Sequence, residues 1–296
     1  MHDCLITASA PGAGVAFVAG ITTRLVREVQ VRHALSPTAS AAVGRLMSGA
    51  ALLGTSLKGR ERISLQIAGD GPLRGIVADV MTLRDGRVGV RGYAKNPHVD
   101  VPLNESGKFD VRRAVGNGSL QVTKSYEVGQ PYVGIVPLVS GEIAEDLASY
   151  LLNSQQVPSV VALGVLADRS GIVAAGGIIG QVLPGADEDA IRGLEQRAKT
   201  MLPITTQIAD GADPSALLHS LGGDLEFNEM HQAPVEFACR CTRERVEVAL
   251  LGLGRDELLK MASERPQTEA TCEFCKQVYV LSSAEVSQLV ERLKKA

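Results

Sequence analysis

The amino-acid sequence predicts an α+β protein in which an N-terminal α/β core domain is followed by a helical linker and a small C-terminal domain. Glycine-punctuated β-type runs fill roughly the first 140 of the 296 residues, and longer helical and apolar segments follow. Four of the five cysteines lie close to the C terminus. We place the core domain at residues 1–185, the linker at 186–232 and the C-terminal domain at 233–296.

The core domain begins with strands and one buried helix. In ISLQIAGDGPLRGIVADV, apolar residues alternate from Ile63 to Ile67, a turn follows at Asp70, and the pattern resumes at Ile76, which predicts a hairpin. RVGVRGYAKNP and SLQVTKSYEV are typical of further strands. The small-residue-rich stretch around 36–59 predicts a helix that is buried on one face.

The second part of the core combines a helix with two apolar strands. GEIAEDLASYLLNSQQVP predicts a helix that Pro158 closes, with apolar residues at helical offsets: Ile143, Leu147, Tyr150 and Leu151. VVALGVLADRSGIVAAGGIIGQVLPGA predicts two buried strands that meet in a hairpin. The core therefore ends near Pro184.

The linker carries short helices with weak apolar stripes. One begins near Asp187, and another has Asp213 as N-cap and Pro214 at its first helical position. Helices this short rarely stand without tertiary packing, so the linker is a candidate for marginal stability. An ordinary helical segment packed on the core is the alternative.

The C-terminal domain ends in a capped amphipathic helix. In SSAEVSQLVERLKKA, Ser282 and Glu285 fit a capping box. Behind them runs an apolar stripe: Val286, Leu289, Val290 and Leu293. A unit of some 60 residues with so thin a core needs a covalent or metal staple.

Two close pairs of cysteines supply a candidate staple. Cys239 and Cys241 are one residue apart, and about 30 residues later Cys272 and Cys275 are two residues apart. This arrangement predicts a tetrahedral zinc site, because each pair can place two sulfurs on one ion. The alternatives are four unrelated cysteines, or a thioredoxin-like dithiol at CEFC, which would require a βαβ context that KQVYVL does not provide.

The cationic surroundings of these cysteines raise a further hypothesis. Four thiolates on one zinc carry excess negative charge, and four cations lie beside them in sequence: Arg240, Arg243, Arg245 and Lys276. Nearby positive charge keeps thiolates nucleophilic toward an oxidant. We therefore consider an oxidisable zinc site, with an inert zinc module and a solvated basic rim as the alternative.

Composition excludes several classes of function. The net charge of −3 does not favour nucleic-acid binding, and no apolar run approaches the roughly 20 residues of a membrane helix. MHDCLITASAPGAG lacks the basic start of a secretory signal, so we expect a cytoplasmic protein. In a reducing compartment, cysteines serve more often as metal ligands or redox centres than as structural disulfides.

No catalytic constellation is visible, and we expect the chain not to be an enzyme. GAGVAF starts like a dinucleotide loop, but Phe17 stands where a glycine is required. Glu145 and Asp146 are interpreted as a solvated helix face, and Cys4 as a buried small residue. The histidines at positions 2, 33, 98, 219 and 231 show no ligand spacing.

With these motifs, the chain resembles the 33-kilodalton heat-shock chaperones, a family of redox-regulated holdases, over nearly its whole length. FACRCTRERV and TCEFC are similar to the family's own cysteine motifs, and GDGPLRGI, VRGY and GEIAEDLASYLLNSQQVP follow its core in order. The chain departs from the pattern at Gln155, where Glu is expected, and at Thr242, where Ser is usual. Neither departure touches a cysteine.

The resemblance implies a mechanism. One zinc ion on Cys239, Cys241, Cys272 and Cys275 would hold the reduced C-terminal domain folded, with the linker packed on the core. Oxidant combined with heat would form the disulfides Cys239–Cys241 and Cys272–Cys275, release zinc, and unfold the domain and the linker. The resemblance further implies a reduced monomer, an oxidised homodimer, and ATP-independent binding of unfolding client proteins.

Two other classes of function remain as alternatives. A zinc-ribbon module that binds RNA or protein would favour a basic, aromatic-bearing face, which this tail lacks. A thiol oxidoreductase acting through CEFC would turn over a small disulfide substrate.

Overall fold

The computed structural model describes residues 2–293, without the side chains of Glu229, Met230 and Leu293. Its contacts divide the chain into two compact units, Met1–Ala238 and Cys239–Ala296. The mixture of helices, one large sheet and one small sheet confirms the predicted α+β class. No helix among the described residues combines the length and apolar character that crossing a bilayer requires.

The first unit is built on one large sheet. Its strands are β1 (Cys4–Ala10), β2 (Val15–Ile21), β3 (Arg62–Gly69), β4 (Ile76–Thr82), β5 (Val88–Ala94), β6 (Gly118–Ser125), β7 (Tyr132–Pro137), β8 (Ser159–Asp168), β9 (Gly171–Val182) and β10 (Asn228–Phe237). Their spatial order is β7-β6-β3-β4-β5-β10-β1-β2-β9-β8. Neighbours pair antiparallel except β10 and β5, which run parallel.

Seven helices of the first unit cover the sheet. They are α1 (Thr23–His33), α2 (Pro37–Gly54), α3 (Val111–Val115), α4 (Ala144–Gln155), α5 (Glu188–Thr200), α6 (Ile204–Ala209) and α7 (Pro214–Gly222) in the described part of the chain. Successive side chains of a strand point to opposite faces. Accordingly, Leu5 of β1 joins the cluster formed with α1 to α4, and Ile6 joins the cluster formed with α5 to α7.

Both predicted hairpins are present. β3 and β4 pair antiparallel with Ile67 opposite Ile76, and β8 and β9 pair antiparallel with Asp168 opposite Gly171. GAGVAF lies in the connection from β1 to β2 and the start of β2, where Phe17 is buried at 1% exposure. The segment is therefore a β-hairpin connection and not the strand-to-helix turn of a nucleotide loop.

Helix α2 differs from the expectation of one buried face, because it is buried nearly all round. Its small residues allow neighbouring elements to approach on several sides. A Cβ atom at Gly44 would lie 2.7 Å from a Val26 methyl carbon and 2.8 Å from one of Val165. The prediction failed because an alanine-rich helix shows little amphipathic contrast, whether one or several of its faces are covered.

The interpretation of Asp146 as part of a solvated face is wrong, whereas Glu145 is exposed. Asp146 is 0% exposed, and its carboxylate accepts hydrogen bonds from four backbone N–H groups, those of Val139, Ser140, Gly141 and Ile143, at 2.7 to 3.3 Å. Ile143 has a φ of 78°, a strained value for a β-branched residue. The bonds to Asp146 therefore fix the turn that starts α4.

Helices α5 to α7 occupy most of the predicted linker. Asp213 caps α7 as predicted, with a carboxylate oxygen 2.8 Å from the Ala216 amide. Asp187, near which the sequence predicts the start of a helix, caps α5 with a carboxylate oxygen 3.0 Å from the Ala190 amide. Leu194, Ile204 and Leu217 pack in the same apolar cluster as Phe17. Residues 233–237, which the sequence division gives to the C-terminal domain, lie in β10 within the first unit.

The second unit is small. It contains α8 (Arg243–Leu251), α9 (Arg255–Glu264), β11 (Gln267–Thr271), β12 (Val278–Ser282) and α10 (Ser283–Leu293). The predicted capping box is present, since the Ser282 amide donates to Glu285 at 2.8 Å and the Glu285 amide to the Ser282 hydroxyl at 3.3 Å. Among its described side chains, six aliphatic ones form the buried core: Leu250, Leu258, Leu281, Val286, Leu289 and Val290.

Candidate metal centre

Two loop segments of the second unit carry the four cysteines. Cys239 and Cys241 lie in the segment that follows β10 and precedes α8, which Thr242 caps by accepting the Arg245 amide at 3.3 Å. Cys272 and Cys275 lie in the turn between β11 and β12. Folding therefore brings together pairs separated by about 30 residues in sequence.

Backbone hydrogen bonds fix the turn that carries Cys272 and Cys275. The Cys272 amide donates to the Gln277 carbonyl at 2.9 Å, and the Lys276 amide donates to the Cys272 carbonyl at 2.8 Å. Lys276 has a φ of 60°, which reverses the chain after Cys275. The amides of Phe274 and Cys275 also bond to the Cys272 sulfur, which favours its thiolate form.

The four sulfurs form one cluster. All four Sγ atoms lie within 4.8 Å of one another, with Cys239 and Cys272 3.7 Å apart and Cys241 and Cys275 3.2 Å apart. In a tetrahedral site with zinc–sulfur bonds of about 2.3 Å, neighbouring sulfurs are about 3.8 Å apart. The spacing of these sulfurs therefore fits a four-thiolate metal site.

Burial and crowding oppose ionisation of these thiols. Burial is the largest cause that raises the pKa of Cys272 and of Cys275. The sulfurs of the other three cysteines raise the pKa of Cys275 further, whereas for Cys272 only the Cys239 sulfur does so. Four thiolates within 4.8 Å would repel one another strongly. A divalent cation removes this penalty, because its charge stabilises the deprotonated ligands.

A tyrosine outside the cysteine set contacts one of the sulfurs. The Tyr279 hydroxyl donates a hydrogen bond to Cys241 Sγ at 3.2 Å, and this bond is the main reason why the pKa of Tyr279 rises to about 12. The sequence reasoning missed Tyr279. The apolar alternation VYVL could have identified it, because it places Tyr279 on the same face of β12 as buried Leu281.

The cations near the cysteines are partly engaged elsewhere. Arg243 forms ion pairs with Glu285 at 2.6 Å and Glu247 at 3.6 Å, and Lys276 pairs with Glu273 at 2.8 Å. Neighbouring carboxylates therefore offset part of the positive charge that the sequence places beside the thiols.

The other candidates lie outside this centre. Cys4 opens β1 and is partly buried, which raises the pKa of its thiol. Among the described side chains, the four C-terminal cysteines form the only group of three or more His, Cys, Asp or Glu residues placed to hold one metal ion.

Comparisons with known proteins agree with this arrangement. The sequence matches the family described as Hsp33 protein over residues 3–282. It is 42% identical over 293 residues to the 33 kDa chaperonin of Acetivibrio thermocellus, covering 98% of each chain. It is 45% identical over 298 residues to the 33 kDa chaperonin of Acaryochloris marina, covering 99% of this chain and 98% of the other.

A solved structure shares the whole fold. The crystal structure of the 33 kDa chaperonin, a heat shock protein 33 homolog, from Thermotoga maritima superposes with a TM-score of 0.92. The two sequences are 36% identical, and the similarity covers 100% of both chains.

Proposed function

The chain belongs to the Hsp33 family, and from this membership we propose that it is a redox-regulated, ATP-independent holdase activated by thiol oxidation and zinc release. Membership in a family of chaperonins makes client proteins its binding partners. The observation that carries the regulatory part is the cluster of four Sγ atoms within 4.8 Å. Such a cluster binds a metal when reduced and forms disulfides when oxidised.

The four thiolates would hold zinc in the reduced protein. Thiolates select soft or borderline cations, and a closed four-sulfur set is typical of structural zinc. When bound, zinc supplies charge neutralisation and a cross-link between the two cysteine segments. Because the described side chains of the second unit include only six buried aliphatic ones, this cross-link would support its fold.

Oxidation would remove the cross-link. One thiolate attacks hydrogen peroxide and breaks its O–O bond, which gives a sulfenic acid and a hydroxide ion. A second thiolate then attacks this sulfur, which forms the disulfide and releases a second hydroxide ion, and both hydroxide ions take up protons from the solvent to give water. We propose the pairs Cys239–Cys241 and Cys272–Cys275. The shortest sulfur contacts join Cys239 to Cys272 and Cys241 to Cys275, so peptide mapping must discriminate between the two pairings.

Loss of the metal would remove a large part of the free energy that keeps the C-terminal unit folded. Zinc contributes on the order of 10 kcal/mol to small thiolate domains, which matches the whole stability of a typical domain. We therefore propose that the C-terminal unit unfolds, that the linker at 186–232 loosens, and that the apolar surface so exposed binds clients. We further propose that the reduced chain is a monomer, that the oxidised chain is a homodimer, and that both are cytoplasmic.

One experiment tests the proposal. Zinc-loaded protein is treated with peroxide at elevated temperature, zinc release is followed with a chromogenic chelator, and light scattering by a heat-denatured client is measured without ATP. We expect suppression of scattering only after oxidation. Equal suppression before and after oxidation would refute the switch.

Matched variants localise the effect. Substitution of Cys239 and Cys241 by serine should abolish tight zinc binding, whereas Cys4→Ser should bind zinc and switch as the unmodified protein does, because Cys4 lies outside the cluster. Protease should also cleave within 186–232 faster after oxidation. An unchanged digestion pattern there would contradict the role of the linker.

A further inference from the structure

Tyr279 is a side chain outside the cysteine set that bonds to the sulfur cluster. It is the second residue of β12, opposite Ala270 of β11, and its hydroxyl lies 3.2 Å from Cys241 Sγ. Leu281, on the same face of the strand, is fully buried. The packing of β12 thus fixes the ring, and the ring directs its hydroxyl to one particular sulfur.

We propose that Tyr279 is a positioning residue of the metal centre, whose hydroxyl strengthens metal retention at Cys241 and slows oxidation of that sulfur. The inference rests on the proposed function, in which the four thiolates hold zinc. A metal-bound thiolate has no proton, so the phenol is the donor in this bond.

The direction of the effect follows from charge. A hydroxyl that donates to a thiolate draws electron density from the sulfur, as other charge-assisted hydrogen bonds do. The sulfur is then a weaker nucleophile toward peroxide. Residues that hydrogen-bond to metal ligands also hold them in orientation, and their loss typically lowers metal affinity by 10- to 100-fold.

The pair of Cys241 and Tyr279 complements the turn of the second cysteine pair. Cys272 receives backbone amide bonds from Phe274 and Cys275 within its own turn. Cys241 receives its side-chain donor from the opposite segment, on the strand that follows this turn. Tyr279 therefore links the first cysteine segment to the β11–β12 hairpin by a contact that is independent of the metal.

Tyr279→Phe isolates the hydroxyl, because it keeps the ring on the face of β12 that also carries Leu281. The reduced full-length protein is loaded with Co²⁺, and its thiolate-to-cobalt charge-transfer bands are recorded. We expect the bands of Tyr279→Phe to move to lower energy, because the Cys241 sulfur becomes more electron-rich. Zinc affinity, measured by chelator competition, should fall by about 10-fold or more, and peroxide should release zinc faster.

Two controls separate this role from packing. Leu281→Ala should weaken zinc binding without moving the bands, because it removes buried methyl groups and no donor. Tyr132→Phe removes a hydroxyl that bonds to Ser154 in the first unit, and should change neither quantity.

Each outcome decides the question. Unshifted bands in Tyr279→Phe would overturn the proposal, even if its affinity fell, because that combination indicates packing alone. Absence of thiolate bands from the unsubstituted protein would overturn the metal centre itself, and the role of Tyr279 with it. Thiolate-to-cobalt bands that are present in the unsubstituted protein and identical in Tyr279→Phe would overturn the role of Tyr279 but leave the metal centre standing.

Discussion

Replacing Leu281 by alanine should lower the zinc affinity of the C-terminal unit by about 100-fold. Leu281 is 0% exposed and is one of six buried aliphatic side chains in its core. Truncation of a buried leucine costs about 3 kcal/mol, within a general range of 2–5 kcal/mol. Because metal binding is coupled to folding in such units and about 1.4 kcal/mol corresponds to a factor of ten, this cost weakens apparent binding by roughly two orders of magnitude.

The neighbouring residue provides a matched control. Val280 precedes Leu281 on β12, points to the opposite face and is 40% exposed. Its replacement by alanine should change stability by no more than about 0.5 kcal/mol, which is roughly a twofold change in affinity. The two variants therefore differ in burial, while both shorten an aliphatic side chain of the same strand.

Zinc affinity of the reduced variants is measured by competition with a chromogenic chelator, and peroxide is then titrated until half the zinc is released. Leu281→Ala should release zinc at a lower peroxide concentration than Val280→Ala. Equal affinities for the two variants, or an affinity of Leu281→Ala equal to that of the unsubstituted protein, would refute the coupling between the apolar core and the metal.

Two further predictions concern the first unit. Asp146→Ala leaves four backbone amides, two of them buried, without their acceptor, and should lower the free energy of unfolding by about 3 kcal/mol or more in a denaturant titration. Replacing exposed Glu145 by alanine should change it by less than about 0.5 kcal/mol, and equal effects of the two substitutions would contradict the assigned role of Asp146. Burial raises the pKa of Tyr150 to about 12, so the folded state keeps the phenol proton above the unfolded pKa of about 10, and the free energy of unfolding falls as the pH rises between these values. Tyr150→Phe should lose less stability than the unsubstituted protein between pH 9 and pH 11. Equal losses in the two proteins over this interval would count against this reasoning.

Local patterns predicted the elements that form close to their partners in sequence. The hairpins β3–β4 and β8–β9 were readable because alternation and a turn determine both strands together. The caps at Asp213 and Ser282 were predictable for a similar reason, since a cap is satisfied within one helical turn.

Strand β10 shows what a local pattern does not contain. NEMHQAPVEF includes Pro234 and several polar residues, yet the strand lies inside the sheet between β1 and β5. Pro234 is opposite Cys4, more than 200 residues earlier in the chain. Such pairing depends on the topology of the whole sheet, and this is why the sequence division at 232/233 cuts through the strand.

The cysteine cluster could be predicted from the sequence as a set of residues, but its contacts with the surrounding side chains could not. Spacing alone indicated that Cys239, Cys241, Cys272 and Cys275 could converge, because each pair is local and one ion accepts two pairs. The contact from Tyr279 required the register of β12 against β11. The sequence likewise predicted a surface carboxylate at Asp146, because the four backbone amides that donate to it are brought together only by the turn before α4.

In the proposed switch, the position of β10 offers a route from the oxidised cysteines to the linker. The Ala238 amide donates to the Val90 carbonyl at 3.0 Å, and the next residue is Cys239. Under the proposed function, loss of the metal would free the chain directly beyond the parallel β10–β5 pair, where Phe237 is opposite Val90. Since helices α5 to α7 immediately precede β10, fraying of this strand would loosen them from their C-terminal side. Hydrogen exchange at the amides of Phe237 and Ala238 should accelerate on oxidation, whereas that of Val18 in β2 should not; unchanged protection at Ala238 would exclude this route.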